Sequence, residues 1–224
     1  MPLATEKLVQ ATLRQQIVKQ IRLAILNRSL RPGERLVERE LAKQLGTSLT
    51  ATREALIQLE TEGLITKRPN ATTHVTQLTP AEVEQIFAVR RVLEKYAFQE
   101  AARLADQAEI RQLKDLHSGS LEAARTNDGA AYIAADLEWH EAVWQTAKNT
   151  YLAESLRRVV LPLFGFSSIE VATRKGFNLQ RDAQSHAPLL KAISAHDPVA
   201  AGNAFDKFAQ LWMRYALEGS TEDE

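Results

Sequence analysis

Asp136 and His140 stand four residues apart in a stretch with helical apolar spacing, so their side chains share one face and can reach a single ion. A carboxylate oxygen and an imidazole nitrogen are both donors for divalent metals. His186, on a later helix, offers a third donor. Aspartate and histidine at this spacing are also common on solvated helix faces, so the spacing alone leaves both readings open. If an ion is held, one consequence would be a metal-dependent, hydrolase-type enzyme using Asp136, His140 and His186. Such a site needs a general base and an oxyanion stabiliser nearby, and no motif places either.

A second group lies near the N-terminus. Ser48, Thr50, Thr52 and Arg53 bring three hydroxyls and a cation to the start of one helix, where phosphates and base edges can be met. Lys67, Arg68 and Asn70 add charge and a turn-tolerant amide shortly afterwards.

The elements that must position these residues follow from periodicity. Leu13, Ile17, Ile21, Ala24 and Ile25 mark one stripe of a helix ending near Asn27 to Ser29. Arg31, Pro32 and Gly33 make a turn. A short helix over about Glu38 to Leu45 stops at Gly46, and Ser48 can cap a third helix running to about Glu62, with Leu56 and Leu59 inward and Gly63 ending it. Leu64 to Arg68 and Thr73 to Gln77 read as strands joined by a turn over Pro69 to Thr72, a β-hairpin wing. Two helices around a glycine turn let the second enter a major groove.

Thr79 and Pro80 mark a boundary, as cap and first helical residue. Beyond it the spacing predicts helices at about 80–105, 107–126, 129–148, 150–174, 179–195 and 198–217, the fourth bent at Pro162 and Gly165. Trp139, Trp144, Phe164, Phe166 and Trp212 read as core and interface rather than as an effector platform. The fold class is therefore mainly α: an N-terminal winged helix-turn-helix with a small β-hairpin wing over 8–77, then an all-α bundle of about six helices over 80–218.

Composition narrows the function classes. The 224 residues include no cysteine, which excludes disulfides, thiolate metal sites and cysteine nucleophiles. No apolar run approaches a membrane span, and the first residues lack a signal-peptide core, so a cytoplasmic home with no membrane partner is expected. Zero net charge hides an asymmetry: residues 1–77 hold 12 Lys/Arg against 7 Asp/Glu, and residues 78–224 hold 16 against 21. A basic module joined to an acidic one fits a nucleic-acid binder with a separate sensing part.

Several blocks, in order, carry a specific resemblance. Leu30-Arg-Pro-Gly-Glu-Arg-Leu36, Glu38-Arg-Glu-Leu-Ala42, Arg53-Glu-Ala-Leu56 and Glu62-Gly-Leu-Ile65 resemble the winged helix of GntR-family regulators. Residues 80 to 217 resemble the FCD-type all-helical effector domain of the FadR-like branch. The resemblance implies a ligand-responsive bacterial transcriptional regulator, not an enzyme, that binds a pseudo-palindromic operator in double-stranded DNA as a homodimer. It implies DNA contacts at Arg39, Ser48, Thr50 and Arg53, with the wing tip from Asn70 to Thr72 in the minor groove. The departures are Leu49, Ala51 and Thr52 where the family favours arginine, proline and valine, Val37 in place of a serine cap, and Thr72 in place of a wing glycine.

In the helical part the resemblance makes Asp136, His140 and His186 metal ligands. A last histidine usually follows about 22 positions on, and here that position is Phe208. Either three ligands plus water or effector oxygen hold Zn, Ni or Mn, or the site is lost. Arg90, with Leu93 and Glu94, matches the Arg-x-x-Leu-Glu signature, in which the arginine faces the cavity and suits a small carboxylate effector. The alternative is an i,i+4 pair between Arg90 and Glu94.

Overall fold

The computed structural model describes residues 5–68, 72–165 and 177–218. The chain divides into two compact units, residues 1–77 and 78–224.

The first unit runs α1 (Thr5–Leu26), β1 (Arg35–Leu36), α2 (Glu38–Gln44), α3 (Leu49–Thr61), β2 (Ile65–Arg68) and β3 (Thr72–Val75). Ile17, Ile21 and Ile25 on α1 are buried, as are Leu56 and Leu59 on α3. Burying each such side chain contributes about 1.5–3 kcal/mol. Leu13 departs from the expected stripe: it is exposed, and Val18 and Leu26 are buried instead. Arg22 fixes α1 to the end of α3 through Glu62, Nη2 to Oε2 at 2.8 Å. α1 also begins earlier than the periodicity indicated.

The turn between α2 and α3 depends on Gly46, whose φ of 61° is open to glycine at little cost. There the Leu45 and Thr47 amides close back on Leu41 and Ala42. Ser48 caps α3, its Oγ accepting from the Ala51 amide at 3.1 Å. At the head of α2, Val37 gives no side-chain cap. The sheet has the order β1-β3-β2 with antiparallel pairs. β1 escaped sequence reading, because two residues show no alternation. Thr72 was expected in the turn but lies in β3 opposite Arg68, and Thr76 and Gln77 fall outside the strand. Asn70 lies outside the described residues.

The second unit comprises α4 (Pro80–Leu104), α5 (Gln107–Arg125), α6 (Gly129–Thr146), α7 (Thr150–Leu163), α8 (Leu179–Gln184), α9 (Ala187–Ser194) and α10 (Pro198–Glu218). α4 opens on a capping box between Thr79 and Glu82 with Pro80 beside it, and α5 on another between Asp106 and Glu109. α4 packs against α10, α7 and α6, and α5 against α6 and α8. Phe98, Leu113, Val143, Leu189, Ile193 and Phe205 lie at the centre of the core.

The helix expected over 179–195 is two helices. Pro188 lacks the N–H that would bond back to Gln184, and its ring crowds that carbonyl, so the chain breaks at Ser185 and His186 and restarts as α9. The break places His186 where its ring turns inward. The expected stretch 166–174 lies outside the described residues, as does Phe166. α7 is helical to Leu163 with Pro162 inside it.

Candidate metal centre and nucleic-acid interface

Tyr132, Asp136 and His140 follow one another turn by turn along the buried face of α6, with Trp139 and Trp144 beside them. Asp136, His140 and His186 are all buried, and one ligand atom from each lies within 4.8 Å of the other two. His186 Nε2 is 3.1 Å from Asp136 Oδ1 and 3.3 Å from His140 Nε2. The pair given by spacing, Asp136 and His140, and the third donor, His186, therefore converge.

Their tautomers follow from the outer partners. His140 Nδ1 lies 2.7 Å from Glu94 Oε1, and His186 Nδ1 3.3 Å from the Ala183 carbonyl. A carboxylate and a carbonyl only accept, so both Nδ1 atoms carry a proton, and the two Nε2 atoms are left facing each other. Two ring nitrogens and a carboxylate oxygen then face one another in a buried space, and a proton or a metal ion must sit among them. Burial, with His140 nearby, pushes the His186 imidazole down to about 3, which keeps it a neutral ligand at ordinary pH. Burial pushes the Asp136 carboxyl up. The donor set fits a divalent ion.

Glu94 organises the other side. Its Oε2 accepts from Arg90 Nε at 2.5 Å, and its Oε1 accepts from His140 and from Trp144 Nε1, the latter at 2.9 Å. Burial alone would raise this carboxyl, yet Arg90 and His140 hold it at about 2. Arg90 thus forms the i,i+4 pair that sequence reading weighed against a free cavity cation. Its guanidinium also lies 5.7 to 6.0 Å from the rings of Phe87, Phe208 and Phe164. Phe208 packs against both imidazoles, ring centres 4.7 Å from His186 and 5.7 Å from His140. An apolar wall stands where a fourth nitrogen was sought.

Sequence reading missed several members of this centre. Glu94 was weighed only as a partner of Arg90. His117 was not singled out, although its Nε2 donates to the same Ala183 carbonyl at 3.0 Å. Tyr132 and Asp182, joined at 2.7 Å, were missed too. Trp139, expected as core, is buried and meets the His140 and His186 rings edge-on at 5.3 and 4.9 Å.

In the first unit, Arg39, Ser48, Thr50 and Arg53 are exposed. Arg53 is held by Glu38 of α2, with Nε and Nη2 at 3.0 and 2.8 Å from one carboxylate oxygen. Ser48 Oγ accepts from the helix and keeps its own proton to donate. Thr52, read as a fourth polar contact, is fully buried, and its hydroxyl donates to the Ser48 carbonyl. It faces the core as a valine would. Leu49 is exposed at the start of α3, and Lys67 on the wing pairs with Glu60 at 2.8 Å. Thr72 is partly buried, its hydroxyl 3.1 Å from His74 Nε2.

Comparison with known proteins bears on both units. Residues 13–75 match the family model for bacterial regulatory proteins of the gntR family, and residues 85–210 match that for the FCD domain. A probable D-xylose utilization operon transcriptional repressor from Paenarthrobacter nicotinovorans is 29% identical over 211 residues, spanning 91% of this chain and 88% of that one. The Nta operon transcriptional regulator of Aminobacter aminovorans is 33% identical over 171 residues, 76% of this chain and 80% of the relative. The solved structure of Escherichia coli McbR/YncC shares the fold, with a TM-score of 0.80 at 20% identity over 93% of this chain and 99% of the other. These are regulators and not enzymes, so the hydrolase reading of Asp136, His140 and His186 is set aside. A winged helix-turn-helix followed by an FCD domain places the chain in the GntR family of bacterial transcriptional regulators.

Proposed function

We propose that the chain is a ligand-responsive regulator that binds a pseudo-palindromic operator as a homodimer and senses a small carboxylate at the buried centre of its helical unit. The observation that carries this is the convergence of Asp136, His140 and His186, with both outer imidazole nitrogens already committed. Those three side chains would hold Zn, Ni or Mn, for which two nitrogens and one oxygen are suitable donors. A bound ion would supply a positive charge to which a carboxylate can attach. Arg90, fixed by Glu94, holds a second positive charge close to Phe208.

On the DNA side, α3 enters the major groove with Ser48, Thr50 and Arg53 at its N-terminal end, Arg39 meets the backbone, and the wing around Asn70 and Thr72 reaches the minor groove. Leu49, in place of a guanidinium, suits a thymine methyl better than guanine. Val89, Val92 and Tyr96 form an exposed apolar stripe at helical spacing on α4, which supports a second copy of the chain as partner. An effector that favours one spacing of the two DNA-binding heads shifts operator affinity by linkage.

Fluorescence anisotropy of the full chain with genomic fragments tests this, at about 50 and 200 mM salt and with zinc or a chelator. A steep loss of affinity with salt is expected, about 10³-fold or more for six phosphate contacts. Absence of binding at low salt in both metal states contradicts the reading.

A further inference from the structure

The sequence around the second histidine repeats the pattern around the first: Asp182-x-x-x-His186 mirrors Asp136-x-x-x-His140. Each places a carboxylate one turn ahead of an imidazole. Asp182 lies in α8, only 3% exposed, and Tyr132 donates its hydroxyl proton to Oδ2 at 2.7 Å. Tyr132 itself stands one turn before Asp136 on α6, so Asp182 is held beside the ligand set. The Trp212 side chain also donates toward this carboxylate, yet its other oxygen, Oδ1, is buried with no partner in good hydrogen-bond geometry among the described residues. Buried polar atoms are nearly always satisfied, so a carboxylate oxygen without a partner in good geometry, on a residue whose charge is felt by Asp136 and His186, points to a missing partner. Formal charge agrees: Asp136, Asp182 and Glu94 outnumber Arg90 by two, which one divalent cation cancels. Phe208 cannot supply a polar group there.

We infer that Asp182 is the second carboxylate of the ion centre, its free oxygen accepting a hydrogen bond from a water that shares the ion with Asp136, His140 and His186. This rests on the reading of those three residues as ligands. Tyr132 positions Asp182 by holding Oδ2, and so fixes the direction of Oδ1. The rival explanation is a structural pin, in which the Tyr132–Asp182 bond serves only to join α6 to α8.

Calorimetric titration of Mn²⁺ and Zn²⁺ into the chelator-stripped full chain separates the two, with melting curves in chelator and in saturating metal. Asp182→Asn keeps the acceptor for Tyr132 but removes the charge. It is expected to bind the ions about 10–100-fold more weakly, with its melting temperature in chelator unchanged or raised. Wild-type affinity in Asp182→Asn, with binding lost in Asp136→Ala, overturns this inference and leaves the ligand reading intact. Equal losses of melting temperature with and without metal indicate a pin and also overturn it. Failure of the wild-type chain to bind either ion overturns both readings. Tyr132→Phe is the second variant if Asp182→Asn does not fold: several-fold weaker ion binding supports the inference, and unchanged affinity refutes it.

Discussion

Glu94→Gln removes the negative charge that joins Arg90, His140 and Trp144, and its cost can be worked in two ways. The Glu94 carboxyl is held at about 2 against an ordinary 4.5, by Arg90 and His140 and in spite of burial. At ~1.4 kcal/mol per tenfold change in proton affinity, that is on the order of 3 kcal/mol of stability. Independently, removing one partner of a buried ion pair costs about 3–5 kcal/mol, because the other charge is left buried and unpaired. For a chain of this size about 3 kcal/mol lowers the melting temperature by roughly 6–12 °C. Scanning calorimetry in chelator, at pH 7 and then stepwise downward, is the assay. A depressed folded-state value means the contribution is complete above the unfolded value of 4.5 and is lost as pH falls toward about 2. The gap between wild type and Glu94→Gln should therefore close over that window. A pH 7 difference under about 2 °C, or a gap that stays constant from pH 6 to 3, would refute the reasoning. The double variant Arg90→Met/Glu94→Gln should recover part of the loss, since no charge is then stranded.

Other outcomes follow from the same geometry. Arg53→Ala should weaken binding to every DNA sequence and reduce the salt slope by about 1, and an unchanged slope by anisotropy argues against a phosphate contact there. Phe208→His places a nitrogen against both imidazoles. Ion affinity should rise at least about tenfold by calorimetry, while the stripped chain loses about 1–3 kcal/mol to a newly buried polar group. Thr79→Ala breaks the capping box at the head of α4 and should cost about 1 kcal/mol in denaturant unfolding.

The helices of the second unit were legible from their apolar spacing and from Thr79 before Pro80, and the structure adds Asp106 with Glu109, and Asp128 and Asn149, as side-chain caps at further starts. Their ends were less marked, since Asn127, Lys148 and His196 take the positive φ that glycine usually announces. The break before α9 was missed because the apolar period continues across it, while the proline that enforces it sits two residues beyond. In the winged unit, Thr52 was misjudged because a hydroxyl can be buried once a carbonyl one turn back accepts its proton. At the ion centre, Asp136 and His140 are adjacent on one helix and could be paired by counting. Glu94, Asp182 and His117 come from other helices, and only packing brings them together.

The most direct test of the buried centre is anomalous diffraction at metal absorption edges, on crystals of the full chain purified without chelator. One peak per chain is expected, bounded by Asp136, His140 and His186 and flanked by the Phe208 ring. No peak in metal-supplemented crystals, or a peak away from these three side chains, would contradict an ion-based sensing centre.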